Sequence, residues 1–414
     1  MICCVAINAQ PQQILIKAGK LFDPARGKML LNQEILINGN VIMAVGEKLD
    51  FPQGTKMIDL SAYTVLPGLI ESHMHLFYSE PLHGDFTKEN VKMIAMEGDA
   101  LRTLRALKRA KTFLDGGVTT VKDLGNSGQY LDVALKTAIR EASADGPRII
   151  ASGPILSSPG GQLPGLSKKY EWMAEEEYRI IKGVEDARLA VKEHINFGVD
   201  LIKICADNSP NNTSLSIDEM KAIVETAHRY NKKVTAHATS SKAIMEAIEA
   251  GVDGIEHGYS LTDSAAKIMA RKGIYFVPTN LTVDMYMKFT GVSKAEAENG
   301  LVGQHKILMM AIKDGVKVVA GSDHYTELGT PRGDALKNVL LAYYEAGMKP
   351  LDIITACTKT AGEFLDPPRK LGVIQKDAVS DIIAVEGDLE NDFEHAIFQV
   401  KFVMKNGKIY KDVN

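Results

Sequence analysis

Between Val65 and Ser322 short apolar runs alternate with longer segments of helical spacing, and this alternation is the tightest constraint the chain places on its own fold. Eight such runs can be read, at 65–75, 119–122, 148–151, 201–204, 234–237, 254–257, 274–278 and 316–322. Strands buried on both faces read as near-continuous apolar runs, and parallel neighbours need a long crossover that a helix supplies. Segments 97–114, 185–197, 217–230, 243–250 and 335–345 have the required spacing. The pattern predicts an α/β fold, a (β/α)8 TIM barrel over residues 66–365, with its chemistry in the loops after the strands' carboxyl ends.

The flanks read differently. Residues 1–65 and 366–414 carry short β runs with turn signals, including Asp23-Pro24, Asn38-Gly39-Asn40 and the hairpin signal Asn406-Gly407. Together they are expected to form one composite β-sandwich domain.

Several runs end in a residue that can bind metal. The first closes on His73-Met74-His75, and since strand side chains alternate faces, the two imidazoles converge while Met74 turns into packing. Others close on or near Lys203, His237, His257 and Asp323. Imidazole nitrogen and carboxylate oxygen suit a divalent ion such as zinc. His73, His75 and Asp323 can hold one ion, and His237 and His257 a second. Lys203 needs another explanation, because a charged, unpaired lysine after Leu201-Ile202 carries a heavy desolvation cost. Reaction with carbon dioxide to N6-carboxylysine removes that charge and creates a carboxylate able to bridge two metals.

With these residues in view, the chain resembles the amidohydrolase superfamily, in its binuclear-metal branch, and within it the imidazolonepropionase-like group that includes prolidase-like dipeptidases. The resemblance runs through Pro67 to His75, Gly117-Val118-Thr119-Thr120-Val121, Gly198 to Lys203, His237-Ala238, Glu256-His257-Gly258, Gly321-Ser322-Asp323 and Lys370-Leu371-Gly372-Val373-Ile374. It implies the barrel and the split sheet domain, a bridging hydroxide attacking a carbonyl carbon, Lys203 as the carboxylated bridge, and Asp323 as the base that passes a proton to the leaving amine. Deaminases of the superfamily resemble a design with Glu three residues after the fifth-strand histidine, where this chain has Ser240; amide hydrolysis is therefore expected.

The surrounding residues depart from the dipeptidase pattern. Gly160-Gly161-Gln162 stands where relatives usually read Gly-Gly-His, Ala206-Asp207-Asn208-Ser209-Pro210 where they carry Ala-Ser/Thr-Gly-Gly, and Thr239 where they often have Tyr or His. Tyr259, His324 and Tyr325 are candidates to donate to the substrate carbonyl, Gln162 to touch substrate, and Arg332 to pair with a substrate carboxylate. Asp207 and Glu327 read as solvated acids, and His83, His194, His228, His305 and His395 as surface or capping residues.

These features favour a dipeptidase or carboxypeptidase-like enzyme. Hydrolysis of another small or cyclic amide, lactam, lactone or ester is the alternative, and a non-catalytic metal-binding barrel a remote one. A net charge of -4 gives no basic field for nucleic acid, and no run reaches the roughly 20 apolar residues of a membrane span. The expected partners are a small-molecule or dipeptide-like substrate and further copies of the chain. Residues 1–10 resemble the end of a secretory signal peptide, which would mean export; read instead as an ordinary start, they leave the enzyme cytoplasmic. The four cysteines form no CxxC pair, and Cys205 and Cys357 read as small buried hydrophobes.

Overall fold

The computed structural model describes residues 13–208, 211–365 and 367–412, so the leader-like stretch at residues 1–10 lies outside the described residues. β-Branched and aliphatic residues at alternate positions put Gln13–Asp23 in a long strand that turns back into Lys28–Asn38. The reversal is an Asx turn, in which Asp23 Oδ1 accepts from Ala25 N at 2.9 Å, followed by Gly27 at φ +61°. On its other side Gln13–Asp23 runs parallel to Lys56–Pro67, which pairs with Ile382–Val385 from the far end of the chain. Val400–Lys405 and Lys408–Lys411 extend the sheet through the Asn406-Gly407 turn, where both residues have positive φ as a type I′ hairpin requires.

The two termini thus build one continuous seven-stranded sheet. It curls on itself. Ile42 N donates to Ala378 O at 2.9 Å and Asp377 N to Ile42 O at 2.9 Å, bringing the edge strand Val41–Gly46 against the segment that leads into Ile382–Val385. Ile16, Ile37, Leu60, Ile382 and Phe402 fill the fold of the curl. Where a composite β-sandwich was expected, the strands of the two ends form one continuous bent sheet.

The middle of the chain alternates parallel strands with helices. Leu69–Met74, Val118–Asp123 and Arg148–Ala151 form one parallel sheet; Tyr178–Ile180, Ile155–Ser157, Ile202–Cys205, Val234–Ala238, Gly254–His257, Tyr275–Val277 and Lys317–Val318 form another, in that spatial order. Backbone bonds cross between them: Ser72 N donates to Ala320 O at 3.1 Å, Asp323 N to His73 O at 2.8 Å, and Asp200 N to Ala151 O at 2.8 Å. The expected helices are present as Asp99–Asp115, Val184–Phe197, Ile217–Arg229, Ser241–Ala250 and Ala335–Glu345. Ile217–Arg229 starts with a capping box, Ser216 and Glu219 each satisfying the other's backbone N–H.

The third strand runs over Arg148–Ala151 as expected and pairs with Val118–Asp123; after a break at Gly153-Pro154, Ile155–Ser157 and Tyr178–Ile180, too short for the apolar pattern to announce, pair with each other, and the former also with Ile202–Cys205. Gly153 sits at φ +67°, and a Cβ there would come within 2.8 Å of the Tyr130 ring, which only glycine avoids. The last strand is shorter than expected, because after Lys317–Val318 the chain bends toward the site. Among the described residues no helix is long and apolar enough to cross a membrane.

Candidate metal centre and active-site cavity

Every residue expected to bind metal faces one cavity of about 320 Å³ at the carboxyl ends of the parallel strands. His73 and His75 come from the end of Leu69–Met74, Lys203 from Ile202–Cys205, His237 from Val234–Ala238, His257 from Gly254–His257, and Asp323 from the turn after Lys317–Val318. The ring centroids of His73 lie 5.4 Å from His75 and 5.0 Å from His257, and those of His237 and His257 are 4.5 Å apart. Ligand atoms of His73, His257 and Asp323 all lie within 4.8 Å of one another, close enough to share an ion.

The backbone is bent to make this possible. His257, Thr279 and Asp323 have φ of +69°, +49° and +51°, a left-handed conformation that is costly for any residue with a Cβ and most of all for β-branched threonine. His257 ends its strand, and Thr279 and Asp323 lie in the turns after Tyr275–Val277 and Lys317–Val318, where the backbone swings back over the strand ends.

Hydrogen bonds behind the histidines orient their rings. His73 Nδ1 donates to Glu256 Oε2 at 2.8 Å, and Glu256 Oε1 in turn accepts from Lys122 Nζ at 2.7 Å and Thr235 Oγ1 at 2.5 Å. His75 Nδ1 donates to the Gly125 carbonyl at 2.8 Å. With Nδ1 carrying the proton, both rings aim an Nε2 lone pair at Asp323 Oδ1, at 3.4 Å from His73 and 3.1 Å from His75. Electron-rich atoms facing one another in a buried space could hold a cation.

The electrostatics agree. Burial holds His73 and His237 down to about 4 and His257 well below its ordinary range, so these imidazoles are neutral near pH 7, as metal binding requires. His75 moves the other way: the cost of its burial is outweighed by the hydrogen bond with Asp323 and its charge, and a cation held between Nε2 and Oδ1 would take the place of the proton this pair shares, freeing the Nε2 lone pair to bind it. Asp323 is also penalised by burial, yet His73, His75 and His257 together keep its carboxyl far below the usual range. Lys203 is 2% exposed and makes no hydrogen bond or ion pair among the described residues. A buried amine without a partner fits conversion to a carboxylate.

Gln162 lies in the same cavity, its Nε2 at 3.4 Å from His237 Nε2, and Tyr325 forms part of the wall. Tyr259 and His324 face an adjoining space. Tyr259 Oη is 3.2 Å from Thr279 Oγ1 and 3.4 Å from His257 Nδ1.

Arg332 does not reach the cavity. Its guanidinium is buried behind the 324–327 loop and donates to the His324 and Tyr325 carbonyls at 2.9 Å each and to Ser79 Oγ at 3.0 Å. Sequence distance placed it near Asp323, but the chain doubles back so that the arginine braces the loop from beneath.

Asp207 is likewise structural. It accepts from Thr239 N, Thr239 Oγ1 and Ser240 N at 3.0–3.1 Å, tying the loop after Ile202–Cys205 to the loop after Val234–Ala238. His194, expected at the surface, is fully buried, with Nε2 at 2.7 Å from Pro154 O and Nδ1 at 3.0 Å from Ala190 O; it pins its helix to the strand break at Gly153-Pro154.

Sequence reasoning missed Glu256 and Lys122 as supports of His73, and Glu71, which accepts from His73 N and Ser322 N at 2.9 Å. A signal existed for Glu71, two residues before His73 and so on the same face of the strand. None existed for Lys122, whose partner lies 134 residues away.

Comparison with known proteins agrees with this geometry. Residues 64–410 match the model of the amidohydrolase family. The ochratoxinase of Aspergillus niger is 30% identical over 441 aligned positions, covering 98% of this chain and 88% of that protein. Among solved structures, a prolidase complexed with N-methylphosphonate-L-proline superposes with a TM-score of 0.83 at 28% identity, and a Xaa-Pro dipeptidase with bound methionine in its active site with 0.82 at 26%, each over 97% of this chain and all of theirs. The chain belongs to the amidohydrolase family and is an enzyme that hydrolyses carbon–nitrogen bonds.

Proposed function

We propose that the protein is a metal-dependent hydrolase of amide bonds in dipeptide-like substrates, a dipeptidase or carboxypeptidase-like enzyme. The observation that carries this reading is the convergence of His73, His75, Lys203, His237, His257 and Asp323 on one cavity at the carboxyl ends of the parallel strands. Those strands are read as a closed (β/α)8 barrel, supported by the bonds from Ser72 N to Ala320 O and from Asp200 N to Ala151 O that join the two parallel sheets. The curled terminal sheet is read as the second domain.

His73, His75 and Asp323 would hold one ion and His237 and His257 a second, zinc being the metal best suited to this donor set, with Lys203 as N6-carboxylysine between them. Addition of carbon dioxide to the amine in its unprotonated form would make an N–C bond and release one proton, giving that carboxylate. The chemistry that bound metal supplies is polarisation of the amide carbonyl and activation of water near neutral pH.

The residues do the rest. Glu256 and the Gly125 carbonyl fix the tautomers of His73 and His75. Asp323 faces the reacting space, accepts the proton of the attacking water and hands it to the leaving nitrogen as the C–N bond breaks, yielding acid and amine. Tyr325 and Gln162 present polar groups to the substrate from the cavity wall. Because Arg332 is committed to the loop beneath, substrates without a free carboxylate form the second reading: small or cyclic amides, lactams, lactones or esters.

The test is turnover of Xaa-Yaa dipeptides, N-acyl amino acids, lactams and esters by zinc-reconstituted protein, with metal content determined on the same sample. Peptide hydrolysis with about two metals per chain is expected. Two metals with turnover of lactams or esters alone would transfer the activity to the second reading, and a protein that takes up no metal would overturn both.

A further inference from the structure

Next to the metal-ligand cavity lies a second chamber of about 260 Å³, which shares Asp323 and Tyr325 with it as a common wall. Its remaining lining is chemically uneven. Tyr259 and Phe289 join Tyr325 as its aromatic lining, Leu281 is aliphatic, Gln304 and His324 are polar, and Glu80 is acidic.

Glu80 is placed there by the backbone. Its N donates to Tyr325 O at 3.1 Å, and it pairs with Thr326 in the two-stranded ribbon that joins the loop after Leu69–Met74 to the loop after Lys317–Val318. One carboxylate oxygen accepts from Tyr78 Oη at 2.7 Å. Among the described residues no lysine, arginine or histidine pairs with it, and the charged groups felt most strongly by it are Glu89 and Asp85, both acids. Among the described residues, Lys203 is the one lysine or arginine that lines either space.

A half-buried carboxylate that no lysine, arginine or histidine pairs with among the described residues, in a chamber lined by three aromatic residues, is suited to receive positive charge: the carboxylate supplies the Coulomb attraction and the rings can supply cation–π contact. Leu281 and the rings also accommodate an aliphatic arm. A carboxylate in the same place would meet repulsion from Glu80 and no compensating cation.

We propose that this chamber is a specificity subsite for a cationic group of the substrate, an ammonium or guanidinium on an aliphatic arm, adjoining the scissile amide. The proposal rests on the amide-hydrolase reading for its location beside the reacting bond, while the chamber itself is defined by Glu80 and the rings. The cation can be a basic side chain or the α-ammonium of a dipeptide, and the experiment separates them.

Binding of n-pentylammonium and n-pentanol is measured by calorimetry on the wild-type full chain and on Glu80→Gln, which preserves an acceptor for Tyr78 and removes only the charge. The ammonium should bind at least tenfold more tightly than the alcohol to the wild type, and within about twofold in Glu80→Gln. Phe289→Leu should weaken the ammonium more than the alcohol. Equal affinity for the two probes in the wild type, or a preference that survives Glu80→Gln, would overturn the subsite.

Turnover then locates the charge. Lysine peptides are compared with their norleucine isosteres at each position of a dipeptide with alanine, with the α-amine free or acetylated. A tenfold advantage in kcat/KM for lysine, expressed in KM and lost in Glu80→Gln, assigns the chamber to a basic side chain. The same advantage tied to the free α-amine assigns it to the ammonium terminus. Ammonium binding that depends on Glu80 with no amide cleaved would leave the subsite standing and overturn the amide-hydrolase reading. Cleavage without any charge preference would do the reverse.

Discussion

Lys203 is the residue whose chemistry is most at odds with its surroundings, a lysine buried among histidines with no hydrogen bond or ion pair among the described residues. If it is the carboxylated bridge, Lys203→Ala should lower metal content and reduce turnover at least about 100-fold, and short carboxylates such as acetate should restore part of both. Full metal content and full rate in the variant would remove the bridging role. Glu256 works one step back, gripping His73 Nδ1 while Lys122 and Thr235 hold the carboxylate. Glu256→Gln leaves the cavity lining untouched but weakens that grip and leaves the buried Lys122 without its counter-charge, so metal affinity should fall about 10- to 100-fold. Competition with a chelator measures this directly.

At the scale of elements, the site is assembled by ties between neighbouring loops. Asp207 gathers three donors from residues 239 and 240 and so sets the relative position of the turns that follow Lys203 and His237. Asp207→Ala should cost about 3 kcal/mol in urea unfolding, since each of the three lost hydrogen bonds is worth about 1 kcal/mol, and should raise KM more than it lowers kcat. Asp132 joins the helix Leu131–Arg140 to the strand break by accepting from Gly153 N at 2.8 Å and from Val133 N at 2.8 Å. Burial pushes its carboxyl up to about 6, above the ordinary carboxylate value of 3.8. The fold therefore favours the protonated form: that stabilisation is complete below about pH 4 and is lost as pH rises through about 6. Compared with wild type, Asp132→Asn should gain ground between pH 4 and pH 7 by up to about 3 kcal/mol, since each tenfold change in proton affinity is about 1.4 kcal/mol. Equilibrium unfolding across that range checks the sign.

At the scale of the whole molecule, the terminal sheet and the central strands are fastened to each other. Arg148, on a central strand, donates to Asp381 Oδ2 at 2.6 Å, to Asn406 Oδ1 at 2.6 Å and to Thr120 Oγ1 at 2.8 Å. Both ends of the ion pair are buried, so Arg148→Ala strands a carboxylate at the junction and should destabilise the protein by about 3 kcal/mol. Thermal unfolding of the two sheets should then separate into two transitions if this contact couples them, and remain single if the apolar packing alone does.

Periodicity sufficed to locate eight parallel strands and most of the helices, because strands buried on both faces leave an apolar run and amphipathic helices a repeat that no distant contact can erase. It also sufficed to name all six residues that meet in the cavity, since a ligand at a strand's carboxyl end is a local feature, set by the two-residue alternation of side chains. The supports were a different matter. Glu256 meets His73 from 183 residues along the chain and Lys122 meets Glu256 from 134 residues away, Arg332 turned out to brace a loop it was expected to overlook, and Glu80 acquired its place only through the pairing of two distant loops. Local spacing determined which residues point toward the strand ends; how the loops close over them, and which charges they leave unpaired, was decided by contacts that exist only once the chain is folded.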